Sequence, residues 1–258
     1  MKNRITELFA SKKKNIVNVY YTAGFPSLND TINIAQSLEK AGADILEIGI
    51  PFSDPVADGP TIQASNKVAL DNGMTLHLLL DQLKEIRKMV KLPIILMGYI
   101  NPVLQYGVEK FAKDISALGV DGLILPDLPL HEFEEQYKEL FASLNLCNTF
   151  LISPTTSEER IRKIDVATEG FIYAVSASSI TGAKGEFSKE QIQYFERLQN
   201  MKLKNPFLVG FGISNQSTFR NAAQYSSGAI IGSAFINLLN ESKDLDQDIR
   251  TFVKQFKA

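Results

Sequence analysis

Eight short apolar runs, each followed by a segment with helical spacing, constrain this chain more than any other feature. The runs cover Ile16 to Tyr21, Ile45 to Ile50, Pro93 to Tyr99, Gly122 to Pro126, Asn148 to Ser153, Phe171 to Ser176, Pro206 to Gly212 and Gly228 to Gly232. Most are continuously apolar rather than alternating, the pattern of parallel strands covered on both faces. Helical spacing fills the intervals at Thr31 to Lys40, Leu76 to Val90, Val108 to Leu118, Glu132 to Leu144, Ser157 to Ala167, Lys189 to Gln199 and Gln216 to Tyr225. Such alternation predicts an α/β protein. Eight units in 258 residues point to a (β/α)8 TIM barrel ahead of an open doubly wound sheet, which six or seven of them could also build. An extra helix is expected before the first strand and a short one, starting near Ser233, after the eighth. No linker or low-complexity tract interrupts residues 1–258, so a single barrel domain is expected.

Composition narrows the function classes. With 45% hydrophobic and 22% charged residues, the chain can bury a full-sized core. A formal charge of -2 without a basic stripe argues against nucleic acid as partner. The basic cluster Lys12-Lys13-Lys14 falls at the end of the first helix, where cations suit the dipole, and reads as a solvated face. A single Cys147 allows no intrachain disulfide, and no run reaches the roughly 18 to 20 apolar residues of a membrane span. Both observations suit a cytoplasmic protein. His77 and His131 lie far apart, each in a predicted helix start, so no metal site is expected.

Gly42-Ala43-Asp44, Gly119-Val120-Asp121 and Ser227-Gly228-Ala229 stand where a helix ends and the next strand begins, and glycine there suits a left-handed cap. In a barrel those turns belong to the stability face, while chemistry belongs to the loops after the strands. The second run carries Glu47 between Leu46 and Ile48, then enters the loop Pro51-Phe52-Ser53-Asp54-Pro55-Val56-Ala57-Asp58-Gly59-Pro60. A carboxylate on an apolar strand pays a desolvation cost that needs a reason. Alternation turns Ile45, Glu47 and Gly49 one way and Leu46, Ile48 and Ile50 the other, so Glu47 is expected at the barrel mouth, with Gly49 leaving room for a ligand. On residues alone Glu47 also fits an interior ion pair and Asp58 a capping aspartate. Together they fit a pair dividing acid and base roles.

Glycine turns follow the last three strands: Thr181-Gly182, Gly210-Phe211-Gly212-Ile213-Ser214 and Gly232-Ser233-Ala234. With the N-terminus of a helix near Ser233, they form the kind of anion cradle that barrels place late in the chain.

These residues resemble the tryptophan synthase alpha subunit family over nearly the whole chain. The most specific segment runs from Glu47 to Gln63, with further matches at Pro126-Asp127-Leu128-Pro129, Thr181-Gly182, Gly210 to Ile213 and Gly232-Ser233. The resemblance implies a lyase that cleaves indole-3-glycerol phosphate by a retro-aldol step to indole and glyceraldehyde 3-phosphate. It implies no cofactor in this chain and a beta subunit partner carrying pyridoxal phosphate, in an alpha2beta2 assembly. By the same resemblance Glu47 shuttles a proton and Asp58 accepts from the indole N–H. Tyr20, Tyr173 and Phe211 line the indole pocket, and Thr181, Gly182, Gly212, Gly232 and Ser233 hold the phosphate. Phe52, Ser53, Asp54, Pro55, Asn101, Pro102 and Pro129 meet the partner, with Asn101-Pro102-Val103-Leu104 and Leu128-Pro129-Leu130 expected as loops offering apolar residues. Loops at 52–58 and 177–187 are expected to close over substrate. Other sugar-phosphate barrels match the late glycines but not the Glu47 to Asp58 segment, and a purely regulatory subunit would not need both acids.

Overall fold

In a computed structural model, which describes residues 2–176 and 187–257, strands stand at all eight apolar runs. They are β1 Ile16–Thr22, β2 Ile45–Gly49, β3 Ile94–Met97, β4 Gly122–Ile124, β5 Cys147–Thr149, β6 Leu151–Ile152, β7 Ile172–Val175, β8 Phe207–Gly210 and β9 Gly228–Ile231. The fifth run is divided at Phe150 into β5 and β6. All pairings are parallel, in the order β5-β4-β3-β2-β1-β9-β8-β7-β6. Because the two end segments of that order are consecutive in the chain, the sheet comes round on itself as a barrel. This decides between the two architectures left open by the sequence.

Alternation sorts the side chains into two apolar layers. Ile16, Ile45, Ile95, Ile124, Leu208 and Ile230 pack inside the barrel, while Val17, Val19, Leu46, Ile48, Leu96, Leu123 and Val209 face the helices. The N-terminal helix Arg4–Ser11 closes the end where strands begin. Asn3 caps it reciprocally with Thr6, and its buried Ile5 and Phe9 join the interior layer. The open end is therefore the one where strands finish.

Aspartates at the starts of strands tie this closed end together. Asp44 accepts from the Val17 N–H at 2.8 Å and from Lys12 and Lys257, each at 2.7 Å. Asp121 accepts from the Ile94 N–H at 2.9 Å, from Arg87 at 2.6 Å and from Arg4 at 3.0 Å. Of the lysine cluster, Lys12 is thus tied into the closed end rather than solvated, while Lys13 and Lys14 are exposed, Lys13 donating to the Phe9 carbonyl at the helix end at 2.6 Å and Lys14 to the Ser226 carbonyl at 2.9 Å.

Other expectations also change. Gly42 and Gly119 have the left-handed φ of caps, but Gly228 is needed for space, since a Cβ there would strike the Ile16 backbone. The stretch Leu76 to Val90 divides into helices Leu76–Leu83 and Ile86–Met89, and a π turn at Phe133–Tyr137 interrupts the helical stretch after β4. Asn101 and Pro102 lie in the first turn of a helix, Ile100–Tyr106, where proline needs no N–H partner. Its exposed first N–H is held by the Asp127 carboxylate, from the loop after the neighbouring strand β4, at 2.9 Å. The last helix, Leu245–Lys254, was not anticipated; it packs on Asp30–Ala41.

Candidate functional site

β2 delivers Glu47 to the barrel interior with 0% exposure. One oxygen, Oε2, accepts from Asn18 Nδ2 at 2.6 Å, and Oε1 has no hydrogen-bond partner among the described residues. The register places Tyr20 directly opposite Glu47 on β1, and Asn18 two residues earlier on the same inward face. Burial pushes the carboxyl up to about 8; the Asn18 N–H opposes that rise and the charge of Asp58 adds to it. An acid with this midpoint holds its proton at neutral pH and still releases it easily, the property required of a group that gives and takes a proton in one cycle.

Asp58 reaches the same pocket from the loop after β2. The adjoining helix Pro60–Asp71 starts with proline in its first turn and Gly59 as its cap, so Asp58 is not the capping residue. Its Oδ2 instead accepts from the Tyr99 hydroxyl at 3.1 Å, while Tyr99 Oη accepts from the Ala57 N–H at 3.0 Å. Partial burial raises the Asp58 midpoint, and the Tyr99 hydroxyl pulls the other way.

Two buried tyrosines complete the walls. The Tyr20 and Tyr173 hydroxyls are held protonated chiefly by burial and further by the charges of Glu47 and Asp58, which identifies the four groups as electrostatic neighbours. Gly49 does not leave room for a ligand as the sequence suggested. A Cβ there would collide with the Tyr20 ring, and a Cβ at Gly210 with Tyr173, so each glycine seats a tyrosine. Tyr20 Oη lies 3.4 Å from Thr22 Oγ1, which bonds Ser65 Oγ at 2.7 Å.

Phe211 packs edge-on to Tyr173, with ring centroids 6.3 Å apart, and is 37% exposed. Its φ of 70° is a left-handed conformation that costs a non-glycine residue about 1–3 kcal/mol. The Ser176 hydroxyl, donating to the Phe211 carbonyl at 2.8 Å, helps to hold it there. Gly212 follows with φ 73°, and a Cβ on it would lie 3.9 Å from Ser176 Oγ.

Gly232 begins the helix Ser233–Glu241, with no side-chain cap. The first N–H groups of a helix lack partners within it, and together with the dipole they suit an anion. A Cβ at Gly232 would be 3.9 Å from the Tyr20 ring, so this helix start adjoins the carboxylate pocket. Thr181 and Gly182 lie outside the described residues.

The residues expected at a partner surface rim the same barrel end. Phe52 stacks on Tyr99 at 5.2 Å between centroids, Ser53 donates to Asp54 at 2.5 Å, and Pro55 is half-buried. Asn101 and Pro129 are exposed, with Val56 the most exposed large apolar residue among those described, at 85%. Val103, Leu128 and Leu130, by contrast, are buried: they belong to the core, and the apolar rim is made by Val56 and Leu104.

Asn18 and Tyr99 were not singled out in the sequence. A polar residue inside an apolar run, two positions before Tyr20 and so on the same face, was the available signal for Asn18. Tyr99 had none, because its partner Asp58 is brought to it only by the barrel.

The chain matches the family model for tryptophan synthase alpha chains over residues 5–258. It is 57% identical over 240 residues to the tryptophan synthase alpha chain of Flavobacterium johnsoniae, covering 93% of this chain and 94% of that one. The fold is similar to that of tryptophan synthase subunit alpha from Legionella pneumophila, with a TM-score of 0.90 at 34% identity, covering 100% of this chain and 98% of that one. It is also similar to a chain of the tryptophan synthase complex from Pyrococcus furiosus, with a TM-score of 0.86 at 33% identity, covering 95% of this chain and 99% of that one.

Proposed function

The chain belongs to the tryptophan synthase alpha chain family, and we propose that, as a single barrel domain spanning residues 1–258, it cleaves indole-3-glycerol phosphate to indole and glyceraldehyde 3-phosphate. The observation that carries this reading is Glu47, wholly buried, lifted to about 8 and, among the described residues, bonded through one oxygen only, beside a second acid at the open end of the barrel.

Protonated Glu47 gives its proton to C3 of the indole ring, which becomes an iminium-like electron sink. Asp58, as carboxylate, accepts from the ring N–H and stabilises the positive charge there. Glu47, now ionised, takes the proton of the adjacent glycerol hydroxyl. The C–C bond breaks, its electron pair restores the indole, and the hydroxyl carbon becomes the aldehyde. The ring keeps the proton delivered to C3 as the C–H of indole, and the hydroxyl proton restores the acid form of Glu47. Tyr20, Tyr173 and Phe211 provide the flat apolar slot. Gly212, Gly232 and Ser233, with Thr181 and Gly182, bind the phosphate and so orient the reacting end.

The rim of Phe52, Ser53, Asp54, Pro55, Asn101, Pro102 and Pro129 faces a beta chain partner in an alpha2beta2 assembly. Indole passes to that partner, where pyridoxal phosphate supplies the next chemistry; the lyase step needs no cofactor in this chain. Among the described residues no helix is long and apolar enough to cross a membrane, and a cytoplasmic setting is part of the proposal, supported by the lone thiol. The test is indole release from indole-3-glycerol phosphate by wild type, Glu47→Gln and Asp58→Asn, with and without beta chain. Activity lost in both variants with glycerol phosphate binding retained is expected; no indole from wild type in either setting overturns the reading.

A further inference from the structure

We propose that Asn18 is the positioning residue that selects which oxygen of Glu47 carries the shuttled proton. The inference rests on the shuttle role of Glu47 proposed above and extends it to a residue that touches Glu47 rather than the reacting atoms.

Asn18 and Glu47 face inward from neighbouring strands, both at 0% exposure, and their side chains meet at 2.6 Å. The amide N–H engages Oε2 of the carboxylate. An oxygen already accepting a hydrogen bond is the poorer site for a proton, so protonation falls on Oε1, the oxygen with no partner among the described residues. Asn18 donates to Oε2 in both protonation states, and the carboxyl plane does not have to turn between giving and taking the proton. A neutral amide suits this role, because a cation would hold Glu47 ionised and an apolar side chain would leave both oxygens equivalent.

Other groups facing Glu47 do not duplicate this bond. Tyr20 from β1, Tyr173 from β7 and Asp58 from the loop after β2 act on it, or it on them, through charge alone, and no cation is among the described groups that shift it. Each of these neighbours, when ionised, disfavours the carboxylate, so Asn18 supplies the opposing preference.

The test titrates Glu47 directly by the carboxyl 13C shift in chain labelled at glutamate, with Glu47→Gln assigning the resonance, and in parallel records the pH profile of kcat for the chain in complex with beta subunit. Asn18→Val removes the donor and keeps a strand-forming residue; Asn18→Asp keeps the shape and replaces the donor by an acid. Both are expected to raise the Glu47 midpoint, Asn18→Val by about one to two pH units, the equivalent of one charge-assisted hydrogen bond. The kcat profile should move with it, with kcat at neutral pH falling about 10-fold or more and KM within about twofold of wild type. An unchanged midpoint in both variants overturns the proposal and leaves the lyase reading standing, as does a shifted midpoint with a wild-type kcat profile. Failure of wild type to form indole overturns the lyase reading itself, and the shuttle role with it, whatever the midpoint.

Discussion

Replacing Glu47 by Gln should stabilise the fold, and by an amount that depends on pH. In the unfolded chain this carboxyl ionises near 4.5, whereas burial in the folded barrel holds it up to about 8. Between those values the folded state keeps a proton that the unfolded state has lost, so stability falls as pH rises through the window. Below about pH 4.5 both states are protonated and the cost vanishes. At pH 7 the unfolded group has passed its midpoint by about 2.5 pH units while the buried one has scarcely begun to ionise, a difference of about 3 kcal/mol. The glutamine side chain is uncharged, retains an oxygen for the Asn18 N–H and avoids the cost. Urea denaturation of both proteins at about pH 5 and about pH 7.5 measures it: the variant's advantage should be about 0.8 kcal/mol at the lower pH and about 4 kcal/mol at the higher. A gap of the same size at both pH values would refute the reasoning, because a mere packing difference has no such pH dependence.

Asp121→Ala should cost about 3–5 kcal/mol in the same assay, since it removes the carboxylate paired with the largely buried Arg87 charge and leaves the Ile94 N–H without its acceptor at the closed end of the barrel. Gly49→Ala should displace the Tyr20 ring, destabilise by about 1–3 kcal/mol and reduce kcat, whereas an unchanged thermal midpoint would show that Tyr20 has space to move. Ser233→Asp places an anion at the start of its helix, where it favours the helix by about 0.3–1 kcal/mol while repelling a phosphate. Glycerol phosphate binding, followed by calorimetry, should weaken at least about 10-fold with no loss of stability; equal affinity would place the phosphate elsewhere.

Much of the barrel was legible because its strands are local patterns. Ile45 to Ile50 and Phe171 to Ser176 are apolar runs that no amphipathic helix would accommodate, and the turns at Gly42 and Gly119 punctuate them. Glu47 announced itself for the same reason, as a charge on such a run. What escaped were features that depend on a distant partner. Lys12 looked solvated because Asp44 and the last helix are out of sight in the sequence. Gly49 looked like ligand space because nothing local says that the Tyr20 ring leans over it. Asn101 and Pro102 looked like loop residues because the carboxylate that holds their helix start comes from Asp127.

The order of strand and helix, the inward set of β2 and the presence of an acid at its centre follow from the sequence by itself, since each is a matter of periodicity and of the cost of burying charge. Tertiary structure alone decided that the sheet closes through Phe150, that Tyr99 holds Asp58, and that Asn18 holds one oxygen of Glu47 while the other has no partner among the described residues. Periodicity determines which face a side chain takes, but a hydrogen bond between residues 29 or 41 positions apart exists only once closure has brought their strands and loops together.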